Sequence, residues 1–544
     1  MTAGHFLKHC PAVIVEELRN RYIFSYYQKR KAMFAQKVRM MMRRTMGLLA
    51  ALLLCGGTFS AQAQQPDSTD RTTFEQIRGQ PQAVSVDQAI QIALANNTEI
   101  KRSLLSVRDA DQQVRTAWSN VLPEVTSSAN YTRNLEVPVN FIPEVVFDPE
   151  GDPDTLVPVA FGTDNNWQGG FTVSQTLFNG QAFVGVSTSS LYKAAQTEGM
   201  RATAQGIVTQ TRMAYYQVLI AREQVRLQQS RLNRVEENLE DTRTMYEQGM
   251  VDEYAVIQLE VQLENIRPEL TSAEFSKREA VRNLLDTMGL PVSLGLEVEG
   301  DLSRFDIRSE SVEHGENRAL KEVDRMTPLS MESDSMLLRR AFDYRGDLRM
   351  LDIRQQLQEK RIQAEKSKYL PSVTASYNLQ WSAAQAGTPV FFGSEQQRAR
   401  SQTFMIGLQL PLFQGFSRDA AIQQAQIQQK DLQLQEYQAK RTAESELTAA
   451  EEGIREAFQV EQARKRALEQ AQIGYERALK RYQNGLGSQQ EVNDAELQLR
   501  EAETGYAQTV FNYLSAKAQY DQAVGQVPYV EEDTDAIRKN IELE

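Results

Sequence analysis

Very few side chains in this chain could carry covalent or metal chemistry. Its 544 residues hold two cysteines, Cys10 and Cys55, and three histidines, His5, His9 and His314. Zinc sites, iron–sulfur clusters, thiol catalysis and disulfide frameworks all need more than that. No glycine-rich phosphate loop opens a helix after a strand, and His314 lies in a polar stretch, so no catalytic residue, metal site or cofactor is expected. The remaining chemistry is electrostatic. Glu491 and Asp494 stand three apart on one face of a predicted helix, just after a turn that holds Tyr482 and Gly485. Tyr246 and Gly249 occupy the matching place 236 residues earlier. Carboxylates at that spacing attract cations if symmetry crowds several copies together; otherwise they complement the N-terminal dipole of the helix starting near Ser488.

Elements must position these groups, and the first 63 residues are not among them. Lys37, Arg39, Arg43 and Arg44 lead into the apolar run GLLAALLLCGGTF at 47–59, followed by Ala61-Gln62-Ala63, a small-residue cleavage site. This is a secretory signal peptide, since a membrane-spanning helix needs about 20 apolar residues. Leu54 stands where a lipoprotein signal at Cys55 would want a small residue, so cleavage after Ala63 is expected. Residues 1–39 read as a start-site artefact. Without the leader, 50 basic and 70 acidic side chains remain, a net of −20, and no cysteine. That charge argues against nucleic-acid binding.

The rest of the chain repeats itself. LPEVTSSAN at 122–130 recurs as LPSVTASYN at 370–378, LFNG at 177–180 as LFQG at 412–415, YEQGM at 246–250 as YQNGL at 482–486, and Met288-Gly289 as Val524-Gly525. The offsets are 248, 235, 236 and 236, so one unit of about 240 residues has been duplicated. Each copy reads helix, strand, strand, long helix, helix. Helices are predicted over 86–121 and 332–369, each ending at Leu-Pro because proline disfavours helix in the residue before it. Alternating Thr, Ser, Val and Tyr after each proline predict strands with two unlike faces, and second strands follow at 168–178 and 403–413. The connection between the first pair, with Pro138, Pro143, Pro149, Pro153 and Pro158, reads as an irregular loop.

The long helices are the most informative elements. Residues 181–247 make a rod of about 100 Å, and 86–121 with 252–289, stacked end to end, match it at about 54 and 57 Å. Val256, Leu259, Leu263, Ile266, Leu270 and Ala273 step by three and four, as do Val492, Ala495, Leu499, Ala502, Tyr506, Thr509, Tyr513, Ala516, Tyr520 and Ala523. Val218, Val225, Leu232, Leu239 and Tyr246 answer seven apart. This is heptad packing. The acids are expected mainly on solvated helical faces. The result is a tall cylinder of two continuous helices beside two stacked pairs, with four strands at one end.

Four tilted strands of about ten residues span a bilayer but leave open edges, which lipid does not tolerate, so several copies must share one barrel. Tyr131, Phe141, Phe147, Phe161, Trp167 and Phe171, with Tyr377, Trp381, Phe391, Phe392 and Phe404, read as interfacial belts. A periplasmic coiled-coil adaptor or structural protein would explain the heptads and the leader. It would not explain two amphipathic hairpins at matching places in a duplicated unit.

The duplicated unit, the Leu-Pro helix exits, the Leu-Phe-x-Gly strand exits and the Tyr-x-x-Gly turns followed by Val492, Ala495 and Leu499 resemble the TolC-type outer membrane efflux protein family over residues 84–528. The resemblance implies a mainly α fold with a small β part: a duplicated unit forming a long α-helical coiled-coil barrel plus a trimer-shared 12-stranded transmembrane β-barrel, four strands per chain. It implies a homotrimer in outer membrane lipid, with a long periplasmic extension. It also implies a periplasmic adaptor (membrane fusion protein) and an inner-membrane pump as partners, in tripartite efflux or type I secretion. Tyr246, Tyr482, Glu491 and Asp494 would form the tunnel entrance, and Gly249 and Gly485 the hairpin turns where the adaptor docks. A basic latch residue of some members maps to Gly487, a departure from the family pattern. The corresponding organisation is a leader at 1–63, a polar segment at 64–83, a first repeat at 84–289, an equatorial linker at 290–331, a second repeat at 332–528 and an acidic tail at 529–544.

Overall fold

The computed structural model describes residues 83–150, 152–302, 305, 307, 334–391 and 397–530. The expected leader with Cys10 and Cys55, His314 with most of the linker, Phe392, and the tail beyond Val530 lie outside these residues. Along the chain run β1 (Ala83–Val84), α1 (Val86–Asn96), α2 (Thr98–Ser119), β2 (Glu124–Arg133), β3 (Val139–Pro143), β4 (Leu156–Ala160) and β5 (Asn165–Phe178). There follow α3 (Gly180–Glu247), α4 (Glu253–Thr287), β6 (Glu297–Val298), α5 (Asp334–Tyr344), α6 (Gly346–Ser367), β7 (Ser372–Gln385), β8 (Gln397–Gln409), α7 (Ser417–Gln483) and α8 (Gln489–Val524).

The two rods are α3, of 68 residues, and α7, of 67. At 1.5 Å per residue each is about 100 Å long. Near the strands α3 packs against α2 and α6, and toward the other end against α4 and α8, while α7 packs against α6 and then α8. Heptad positions do this packing. Leu232, Val235 and Leu239 of α3 meet Val256, Leu259, Leu263 and Ile266 of α4. On α8, Val492, Leu499, Tyr506, Tyr513 and Tyr520 are all buried.

The helix expected over 86–121 is broken, and the break explains a landmark. Asn97 leaves the helical conformation; its Oδ1 accepts from the backbone of Glu99 (2.8 Å) and Ile100 (3.4 Å), and its Nδ2 donates to the Thr287 carbonyl at 2.8 Å. Gly289 closes against this break, where a β-carbon would lie 2.6 Å from the Asn96 carbonyl oxygen. The second copy breaks at Arg345 between α5 and α6, and a β-carbon on Gly525 would lie 2.6 Å from the Arg345 nitrogen. Buried Gln205 ties this junction, donating to the carbonyls of Tyr344 (3.0 Å) and Gly525 (2.8 Å) while accepting from the Gly346 nitrogen at 3.1 Å. Stacked helix ends thus lock into breaks, which requires glycine at the contact.

Two strand expectations are revised. The last strand occupies Gln397–Gln409 rather than 403–413, because Pro411 cannot donate to a ladder. The proline-rich connection is not wholly irregular. β3 and β4 pair antiparallel from Val139↔Ala160 to Pro143↔Leu156, with Pro143 and Pro158 inside them. Each strand of a two-stranded ribbon is an edge strand, where a missing N–H is tolerated.

Acids also enter the core, contrary to the expectation that they stay on solvated faces. Asp521 of α8 accepts from Arg212 of α3 at 2.7 Å and from Lys517 at 2.9 Å, and all three side chains are at most 3% exposed. Burial acts to lower the Arg212 pKa, but Tyr216 and Asp521 outweigh it and hold the guanidinium above its ordinary value.

Candidate functional site

The sheet order is β2-β5-β7-β8, all antiparallel, with β2 and β8 as its edges. Register decides what each face carries. Tyr131, Trp167 and Ala383 share a row, as do Phe171 and Leu379, and Val173, Tyr377 and Phe404. With Val125, Trp381, Val373, Ile406 and Leu408 they make one face predominantly apolar, broken by Ser127, Gln175 and Gln402 and, toward the end remote from the helices, by Arg133, Arg398 and Arg400. The other face carries Thr126, Ser128 and Asn130, then Gln168, Thr172 and Ser174, then Thr374, Ser376, Asn378 and Gln380, then Ser401 and Thr403. Met405 is its main apolar exception. No other described element covers the apolar face, and Phe404, Ile406 and Leu408 are exposed.

Aromatic side chains gather at both ends of the strands. At the end remote from the helices Tyr131, Trp167 and Phe391 lie with ring centroids 5.1–5.7 Å apart, and Phe171 meets Trp381 edge-on at 6.1 Å. At the helical end Phe178 meets Phe183 at 6.0 Å and Phe413 meets Phe416 at 5.5 Å. From Trp167 to Phe178 the strand rises about 36 Å, or about 25 Å when tilted by about 45°, the height of an outer-membrane hydrocarbon layer. No described helix is long and apolar enough to cross a membrane.

At the far ends of the rods, both turns use the same device. Gly249 and Gly485 have φ of +72° and +69°. In each turn the glycine N–H bonds back to a tyrosine carbonyl, Tyr246 at 2.8 Å and Tyr482 at 2.9 Å, and the next residue bonds one residue deeper, Met250 to Met245 and Leu486 to Arg481. This satisfies the last carbonyls of each rod and needs a residue at ease in the left-handed region.

The structure separates the two tyrosines. Tyr482 is 3% exposed, packed with Met245, Tyr475, Val492 and Leu499, and its hydroxyl lies 3.3 Å from Thr242 Oγ1. Tyr246 is 45% exposed. Glu491 and Asp494 are both exposed on α8; the Glu491 backbone N–H donates to Ser488 Oγ at 3.2 Å, and Asp494 accepts from Gln490 at 2.8 Å. Arg481 Nη1 lies 3.7 Å from the Glu491 carboxylate, so a cation stands beside this acid although Gly487 supplies none. A β-carbon on Gly487 would come within 3.1 Å of Glu491 Oε2.

Heptad reasoning missed the polar contacts between the two hairpins. Gln483 donates to Asp241 at 2.7 Å. Higher up, Arg231 pairs with Glu269 of its own hairpin (2.6 Å) and with Glu496 of the other (3.4 Å), and Arg234 with Glu503 (3.4 Å) and Glu496 (3.7 Å). Burial pushes the Glu503 carboxyl above its usual range, with Arg234 acting against it. Arg231, seven residues after exposed Gln224, was the available signal, a charge continuing a polar heptad stripe. That stripe is Gln210, Gln217 and Gln224 on α3, matched on α8 by exposed Gln498, Gln508, Asn512, Gln519 and Gln522 above Glu491 and Asp494.

A sheet with one bare apolar face and one hydroxyl and amide face, carried on helices of this length, defines a membrane channel wall with a helical extension. The family model described as outer membrane efflux protein matches residues 89–290 and 337–526, and the chain belongs to that family. Its place is therefore the outer membrane. Among solved structures, the fold is similar to the Campylobacter jejuni CmeC outer membrane channel, with TM-score 0.64 at 16% identity over 89% of this chain and 94% of that one. It is similar also to CusC, with TM-score 0.63 at 18% identity over 81% and 92%. The open-state Neisseria gonorrhoeae MtrE outer membrane channel gives TM-score 0.62 at 17% identity over 82% and 91%. No curated protein matches the sequence.

Proposed function

We propose that this chain is the exit duct of a tripartite efflux or type I secretion system, a homotrimer whose copies share one 12-stranded barrel. The observation that carries this reading is the sheet register. A single protomer leaves β2 and β8 unpaired beside an apolar face, and unpaired backbone in hydrocarbon costs several kcal/mol per group. Strand directions allow closure, since β8 of one copy runs antiparallel to β2 of the next. Light scattering of the detergent-solubilised protein tests it: a trimer is expected, and a stable monomer overturns the reading.

The helical ends then face an inner-membrane pump through a periplasmic adaptor. Gly249 and Gly485 hold the turns the adaptor meets. Glu491 and Asp494, with Tyr246 and Tyr482 nearby, form the entrance, and threefold symmetry brings six such carboxylates round it. Above them the glutamine and asparagine stripe, interrupted by exposed Glu501, gives a wetted polar wall. Support for the entrance comes from the exposure of both acids on the polar stripe of α8. In single-channel recordings, Glu491→Gln with Asp494→Asn should lower cation preference and block by trivalent cations; unchanged selectivity with a small stability loss would make them helix caps only.

A further inference from the structure

The four strands of the sheet carry only four charged residues, Glu124, Arg133, Arg398 and Arg400. Three of them are arginines, and their placement is not random. Pairing puts Arg398 in the row of Ala383, Trp167 and Tyr131, and Arg400 in the row of Trp381, Gly169 and Ala129. Arg133 lies two residues beyond Tyr131 on the same strand side. Side chains alternate along a strand, so all three belong to the apolar face, while Glu124 belongs to the polar one. All three are exposed, at the strand ends remote from the helices. They sit on the two edge strands, β2 and β8.

We infer that each subunit seam binds the phosphate groups of an outer-leaflet lipid through Arg133 of one copy and Arg398 and Arg400 of the next. This rests on the shared-barrel reading, in which the apolar face meets lipid and β8 adjoins the neighbouring β2. The seam then gathers three guanidiniums from two chains at the level of the aromatic girdle. Arginine there lays its stem along the apolar surface and reaches the head groups with its charged end. Its planar fork matches phosphate oxygens two at a time, which a hydrocarbon-facing lysine or a lone aromatic does not do. Arg400 lies against the side-chain amide of Gln402, a neutral partner, and pairs with no carboxylate among the described residues. The nearest rival occupant is the acidic tip of the β3–β4 ribbon, with Asp148, Glu150, Asp152 and Asp154.

Native mass spectrometry of the full-length protein in neutral detergent tests this with three probes: bisphosphorylated lipid A, the same lipid stripped of phosphate, and inorganic phosphate. Lipid A should bind at up to one molecule per seam, and about tenfold more tightly than the stripped lipid. Arg133→Gln with Arg398→Gln and Arg400→Gln should lose about that factor while the assembly stays intact, and Arg400→Gln alone should lose part of it should the triple variant fail to assemble. Equal binding by variant and parent overturns the proposal, as does equal binding of stripped lipid. Inorganic phosphate binding as well as the lipid makes it a free-anion site and overturns the lipid assignment. Binding that appears only after residues 139–160 are deleted assigns the seam to the acidic ribbon. Light scattering on the same sample separates the failures: a monomer removes the barrel reading itself, whereas an intact trimer without lipid binding removes this inference alone.

Discussion

Gly249, Gly289, Gly485 and Gly525 all have positive φ, but they are glycine for different reasons. The β-carbons of Gly249 and Gly485 would meet nothing within 4 Å, so only backbone strain opposes substitution. Gly289 and Gly525 face backbone atoms of the broken helices at 2.6 Å as well. Gly485→Ala should therefore cost about 1 kcal/mol, and Gly525→Ala about 3 kcal/mol or more, read as unfolding midpoints in detergent. Equal costs would mean that the junction yields. Within the proposed function, Gly485→Val should leave the trimer intact and reduce crosslinking to the adaptor; unchanged crosslinking and efflux count against a docking role. Buried charge gives the other residue-scale expectation. Asp521→Ala strips Arg212 and Lys517 of their shared carboxylate, and about 3–5 kcal/mol of stability should be lost. A loss below about 1 kcal/mol, typical of exposed pairs, would show the site is wetter than its burial indicates.

Between elements, the two hairpins touch through side chains that can be titrated. Glu503 of α8 faces Arg234 and Arg226 of α3, with Glu496 on its own helix. Its pKa is raised by burial, so closing this contact takes up protons relative to a separated, solvated Glu503. The contribution is fully present below the ordinary glutamate range and is lost as pH rises through the raised value. Mild acid should thus tighten the α3–α8 contact. Hydrogen exchange of α8 amides around Glu496 and Glu503 should slow between neutral pH and about pH 5 beyond the intrinsic rate change, and Glu503→Gln should remove that dependence. A faster exchange in acid would reverse the sign and show that the ion pairs with Arg234 dominate over burial.

For the whole molecule, the rod α7 and the shorter α4 each leave an edge that needs a neighbour. Ile427, Leu434 and Tyr437 on α7, and Tyr254, Ile257 and Val261 on α4, remain exposed on the protomer. Apolar side chains repeating along the free edges of a helical wall mark an interface. A trimer stable in mild detergent is expected, and Leu434→Asp with Tyr437→Asp should shift it toward monomer in light scattering without unfolding the chain. A trimer unmoved by both changes would place the seam elsewhere on the wall.

The sequence by itself determined the duplication, the lengths of the rods, the heptad seams and the glycine turns, because each is written in local spacing: prolines end helices, apolar residues recur at three and four, and glycine marks a left-handed turn. It also carried the two-faced character of VTSSANYT and its second copy. Only the tertiary structure decided which residues share a face across four strands, since a shift of one residue in register exchanges the two sides. It likewise placed Tyr482 in the core and Tyr246 in solvent, although both end the same motif. The breaks at Asn97 and Arg345 meet the far ends of their own repeats, at Thr287 and Gly525, and the Arg212–Asp521 pair joins one repeat to the other. Contacts made across hundreds of residues of chain leave no period in it to read.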